Sequence, residues 1–195
     1  MFIRLLLTAF AAVGAENLLF TGGAGFSRAL RCAQRPDTVG IYALLVTWFT
    51  LLSMFAGVWL DPLLPVSGNA GLVRASCFAA VAAAAYAVTF VLLRIVLPAC
   101  AEEKIAPLLA PAAVNTVVLA MPYLRRSFSL DPVQAAGYAL GTGAAFYLAS
   151  VVLSHALAVC RNPDMPQAFR GLPASILYLG ILSMAFAGFA GGRVF

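Results

Sequence analysis

The stretch Pro107–Pro122, PLLAPAAVNTVVLAMP, lies in an uncharged run from Ile105 to Leu124 that is long enough to cross a bilayer. Pro107, Pro111 and Pro122 punctuate it. A proline inside a helix removes one backbone hydrogen bond and crowds the preceding turn, at a cost of ~3 kcal/mol. In hydrocarbon the freed carbonyls must be satisfied by protein or water, so the segment belongs among other helices or beside a cavity. Asn115 and Thr116 follow Pro111, where a half-helix presents polar groups near mid-membrane. Two readings fit this stretch. One is a kinked helix with a single satisfied asparagine; the other is a discontinuous helix carrying a site between two repeats, as in many membrane transporters.

Composition sets the frame. Of 195 residues, 63% are hydrophobic and 10% charged, with a mean hydropathy of +0.98. Soluble domains carry roughly 25% charged residues, so the chain reads as an all-α integral membrane protein. At ~20 residues per span it holds about six transmembrane helices, and residues 1–195 form one transmembrane domain. The formal charge of +5 is scattered among loops, with no basic run suited to nucleic acid. Cys32, Cys77, Cys100 and Cys160 stand far apart without CxxC spacing, and read as free thiols packed as small hydrophobes.

The N-terminal MFIRLLLTAFAAVGAEN has the layout of a signal peptide, but the apolar run resumes after Asn17 and continues through Phe26, as in a retained span. Glu16 is the one charge in Leu5–Ser27; such a residue faces a bundle interior or cavity, or sits at a helix end near the interface. Gly22, Gly23 and Gly25 then permit a break or a close backbone approach. Thr38–Leu60, with Trp48 and Trp59, is a second span, and Ala75–Leu93 a third, whose Ala79–Ala85 run suits close helix packing. Turns are expected at Asp61-Pro62, Pro65 and Ser67–Asn69. The pattern repeats: a broken segment at Ile105–Leu124, a long span Val133–Cys160 with Gly137, Gly141 and Gly143, a loop with Pro163-Asp164, and a final span Leu172–Gly191. With three spans per half, the halves (about 1–97 and 98–195) must be inverted three-helix repeats with broken first and fourth helices.

Loops after spans one, three and five carry Arg28, Arg31, Arg35, Arg94, Lys104, Arg161 and Arg170, against Arg4, Arg74, Arg125, Arg126 and Arg193 on the opposite side. The balance places both termini outside the cytoplasm. His155 reads as a hydrogen-bonded packing residue of the fifth span.

The C-terminal MPQAFRG (Met165–Gly171) and LGILSMAFAGFAG (Leu179–Gly191) resemble the end of RnfA/NqrE-type subunits of the Rnf and Na⁺-pumping NADH:quinone oxidoreductase (Nqr) complexes. Glu16-Asn17 is similar to that family's EN or NN near the first break, and Ala113–Thr116 (AVNT) to its Asn-Cys element in the fourth span. The resemblance covers nearly the whole chain. It implies a bacterial inner-membrane subunit paired with a paralogous RnfE/NqrD-like subunit, with a [2Fe–2S] cluster held by two cysteines from each. That cluster would relay electrons across the bilayer, coupled to Na⁺ or H⁺ movement.

One departure bears on this. The family's cysteine positions fall on Thr116 and on Ser27, or on Thr21 if a gap follows Asn17. Iron–sulfur clusters are held by thiolates, whereas a Ser or Thr hydroxyl stays protonated near neutral pH and is a hard donor. The expectation is therefore a divergent subunit that binds no cofactor of its own. Glu16, Asn17 and Asn115, with Ser27 and Thr116, would line the central interface, with Asn17 and Asn115 holding the freed backbone and Glu16 as the cation or proton group. The chain has no nucleotide-binding loop, catalytic triad or quinone signature, so NADH, ferredoxin or flavin chemistry would belong to partners. The alternatives are a six-helix small-molecule transporter or substrate-capture subunit, and a structural paralogue that carries no electrons.

Overall fold

The computed structural model describes residues 1–14, 16–64, 70–96, 98–160, 166 and 171–189. The turns expected at Pro65–Asn69 and Pro163-Asp164, most of MPQAFRG, Arg161, Arg170, Arg193 and the last span beyond Phe189 lie outside these residues. So does the side chain of Cys100. The chain forms α1 (Phe2–Val13), α2 (Phe26–Ala33), α3 (Pro36–Leu60), α4 (Ala70–Val96), α5 (Ala99–Ala113), α6 (Thr116–Ser127), α7 (Pro132–Val159) and α8 (Leu172–Phe189). A 3₁₀ turn, Asp61–Leu63, follows α3, and no strand occurs among the described residues.

Among the described residues, three helices are long and apolar enough to cross a membrane: Asp37–Leu63 (its 3₁₀ turn included), Ala70–Val96 and Pro132–Val159. The segments Glu103–Ala113 and Thr116–Ser127 meet at a 44° bend and pass the same test as a pair. By length alone, α1 and α8 are shorter apolar helices.

Local chemistry sets the helix starts. Pro36 opens α3 at a position where its missing N–H costs nothing, and Asp37 in the first turn complements the helix dipole. Pro132 does the same for α7, and Gln134 Oε1 accepts from Asp131 N at 3.0 Å.

The two long helices α3 and α7 form the centre. Helix α7 packs against α1, α2, α3 and α8, while α3 packs against α4, α5 and α6. The broken segment of each half thus lies on the long helix of the other half. Tyr42, Phe49 and Met54 from α3 fill the core with Leu109, Met121, Phe146 and Leu153, and the Tyr42 and Phe146 rings lie 5.6 Å apart.

The glycines of α7 explain how α1 gets so close. A Cβ at Gly137 would collide with Leu5 O and Thr8 Oγ1, and one at Gly141 would stand 2.8 Å from Ala9 Cα. On another face, Gly143 leaves room for Thr47 of α3. Backbone-to-backbone contact at small residues is how helices associate where lipid removes the hydrophobic drive.

Two expectations need correction. The small residues of α4 do not mediate close packing: Ala79, Ala80, Ala83 and Ala84 are exposed, and only Arg74, Phe78, Ala82 and Thr89 of α4 are buried. Helix α4 lies at the edge, tied to α3 by Trp48 Nε1 donating to Thr89 Oγ1 at 3.2 Å. His155 is exposed on the outer side of α7, with no hydrogen bond among the described residues, because the inward positions there are taken by Leu153, Ala156 and Leu157.

Gly141→Ala should destabilise the protein in detergent unfolding by about 1–3 kcal/mol, the usual cost of overpacking. Gly40→Ala in α3, where a Cβ meets nothing within 4 Å, should be neutral or slightly stabilising. Equal effects would show that α1 is not seated on α7 as described.

Candidate functional site at the paired helix breaks

Leaving the helix at Val13 strands the last carbonyls of α1. Asn17, 2% exposed, answers this: its Nδ2 donates to Val13 O at 2.9 Å. Its Oδ1 accepts from Leu19 N at 3.2 Å and Phe20 N at 3.4 Å, which folds the chain into a turn. Glu16 sits just before, half-buried, with its N–H on Ala11 O at 2.8 Å. Phe20 O accepts from Ser183 Oγ of α8, and the Phe20 ring stacks on Phe186 at 4.6 Å.

The second break is held by α3. Pro111 O, without a helical partner because α5 ends two residues on, accepts from Tyr42 OH at 2.9 Å. Pro122 has no N–H to give to Val118 O, and Ser53 Oγ supplies the missing donor at 2.8 Å. Gly57, one turn beyond Ser53, lets Pro122 in: a Cβ there would be 3.3 Å from Pro122 Cα. Asn115 caps α6, its Oδ1 accepting from Val117 N at 3.3 Å. It is wholly buried, and its Nδ2 has no hydrogen-bond partner among the described residues.

The two breaks meet. Gly25 adopts φ 74°, the left-handed region open to glycine, and starts α2. Its N–H donates to Thr116 Oγ1 at 3.1 Å. A Cβ on Gly25 would lie 2.5 Å from Val117 Cγ2 and 2.9 Å from Asn115 Oδ1.

Asn115 and Thr116 are therefore joined to the turn that leads into Ser27, in the first turn of α2. Both Thr116 and Ser27 are exposed on the surface of the chain. Glu16 and Asn17 sit at the other end of the first break, and no hydrogen bond or ion pair links them to Asn115 or Thr116 among the described residues. Sequence reasoning missed Tyr42, Ser53 and Ser183. The available signal was a hydroxyl within an uncharged span, strengthened at Ser53 by Gly57 one turn away.

A cleft of 380 Å³ reaches the second break from one end of the bundle, lined by Arg28, Arg31, Arg35, Thr38, Tyr42 and Pro111 among others. A thiolate-held cluster does not fit the donors at the breaks. Thr116 Oγ1 is an oxygen already accepting a hydrogen bond, Cys32 is the one described thiol on the cleft, Cys160 lies at the end of α7, and Cys77 is on α4. No group of three His, Cys, Asp or Glu side chains suited to a metal gathers among the described residues.

The family described as "Rnf-Nqr subunit, membrane protein" matches residues 5–192. The chain belongs to the Rnf-Nqr family. Within it, this Rnf-Nqr chain is 32% identical over 79 residues to a subunit of the proton-translocating ferredoxin:NAD(+) oxidoreductase complex of Clostridium ljungdahlii, covering 40% of this chain and 41% of that one. It is 34% identical over 77 residues to a subunit of the ion-translocating oxidoreductase complex of Glaesserella parasuis, and 35% identical over 77 residues to the like-named protein of Syntrophotalea carbinolica. Each of these two matches takes in 40% of both chains, so the Rnf-Nqr chain spans about two fifths of the length of the curated relatives it matches.

Gly25→Ala should destabilise the Rnf-Nqr chain more than Gly23→Ala. Both positions have positive φ, at a strain cost of about 1 kcal/mol or more, but only Gly25 also meets side chains within 4 Å. Comparable losses in detergent unfolding would refute the close contact of the two breaks.

Proposed function

We propose that this chain is a membrane subunit of an ion-translocating oxidoreductase complex of the Rnf/Nqr kind, seated in the bacterial inner membrane beside a paralogous RnfE/NqrD-like subunit. Its place there is to support electron transfer across the bilayer, coupled to Na⁺ or H⁺ movement. The observation that carries the reading is the bond from Gly25 N to Thr116 Oγ1, which draws both helix breaks to one place in an Rnf-Nqr chain. The names of the relatives, all of them subunits of such complexes, point the same way.

In this reading the chain is six spans in two inverted repeats, 1–97 and 98–195, with both termini outside the cytoplasm. Support comes from the cross-packing of each broken segment on the other half's long helix. Non-helical backbone at membrane depth is tolerated only where protein or water satisfies it, and Asn17, Tyr42, Ser53 and Ser183 meet that need here. The breaks are thus preformed, and Thr116 and Ser27 face outward, where the paralogous subunit would lie. Glu16 is the group to hold a cation or proton at the first break. We assign no cluster to this chain, because hydroxyls replace the thiols that would ligate it, and we route no electron step through its own residues.

Affinity purification of the chain in mild detergent under anaerobic conditions should recover Rnf- or Nqr-like subunits, identified by mass spectrometry. Recovery of the chain alone, or with an ATPase, would replace this reading with the transporter or substrate-capture reading. In the recovered complex, Ser27→Cys with Thr116→Cys should restore iron binding after anaerobic reconstitution. No gain of iron would count against the assignment of those two positions.

A further inference from the structure

The end of α3 opposite the Arg28 cleft holds a second basic cluster, outside the helix breaks. Asp61 opens the 3₁₀ turn after α3, Arg74 lies in the second turn of α4, and Arg125 and Arg126 close α6. Asp61 Oδ1 is 3.6 Å from Arg74 Nη1 and 3.3 Å from Arg126 Nη1, and Asp61 Oδ2 is 3.6 Å from Arg125 Nη1. One carboxylate therefore serves three guanidiniums. The negative end of the α6 dipole, equivalent to roughly half a charge, offsets only part of the excess. Asp131, the other acid on the same cavity, is shared with Arg4 at 3.9 Å.

Two donors in the cluster are stranded. Arg74 is 8% exposed, and its Nε is buried without a hydrogen-bond partner among the described residues; Arg125 Nε is in the same position, although Arg125 Nη1 also donates to Gly57 O at 2.9 Å. A buried donor without an acceptor is costly, more so when it is charged. These groups border a cavity of 560 Å³ at the end of the bundle.

We propose that this cavity binds a phosphate-bearing anion, whose oxygens take the guanidinium donors that Asp61 leaves unmatched. Arginine forks pair with phosphate through two parallel hydrogen bonds, and basic pockets between transmembrane helices hold phospholipid headgroups. The same chemistry admits an anionic lipid headgroup or free phosphate.

The full chain, delipidated in mild detergent, is titrated separately with phosphatidylglycerol, phosphatidylcholine and inorganic phosphate. Native mass spectrometry reads bound lipid, and thermal unfolding reads stabilisation. Phosphatidylglycerol or inorganic phosphate should bind and raise the unfolding temperature above the phosphatidylcholine baseline, and the tighter of the two names the source. Arg126→Gln, at a half-exposed position that the fold tolerates, should weaken this binding about tenfold, the loss of one charge-assisted contact. Arg126→Lys should fall between, and Arg31→Gln at the other end should bind like wild type. Equal retention of the two lipids with no response to phosphate, or binding indifferent to Arg126→Gln, overturns the proposal.

Discussion

Inside hydrocarbon, a backbone carbonyl or amide that leaves the helical ladder has to be met by another group of the protein, and this constraint organises the molecule. The chain leaves the ladder twice, after Val13 and after Ala113, and proline opens a third gap at Val118 O. Each gap is closed by a named side chain. Asn17 holds the end of α1, Tyr42 the end of α5, Asn115 the start of α6 and Ser53 the proline gap. The two asparagines look equivalent in sequence but act differently: Asn17 donates to the end of one helix, whereas Asn115 accepts from the start of another.

Much of this could be read from residue order. Prolines at 107, 111 and 122 and the glycines at 22, 23 and 25 located both breaks, because each residue type has a direct backbone consequence. The long spans were evident from their uncharged runs, and Gly137, Gly141 and Gly143 marked α7 as a close-packing helix. The alanine run of α4 misled, since small residues permit close approach without requiring it, and only the arrangement of the other helices decides which small face is used. The hydroxyls that close the breaks were illegible for a related reason. Tyr42 lies 69 residues from the carbonyl it serves and Ser53 65 residues from its own, and sequence carries no mark of that distance.

The structure and the family resemblance stand in tension at Thr116. Thr116 occupies a place where the family resemblance expects a soft thiolate, and it spends its oxygen on Gly25 N–H. A thiol is a weak acceptor and would hold that amide less firmly. The hydroxyl therefore makes a firmer join between the two breaks than a thiol would.

The crosswise supply of donors also has a bearing on how the chain is made. Synthesis runs from the N-terminus, so Tyr42 and Ser53 are already in place when Pro111 and Val118 emerge from the ribosome, and the second break can close as it enters the membrane. At the first break Asn17 is made together with the turn it holds, but one carbonyl waits longer. Phe20 O meets its donor, Ser183 of α8, only 163 residues later. One carbonyl of the first break thus stays open until α8 has been made.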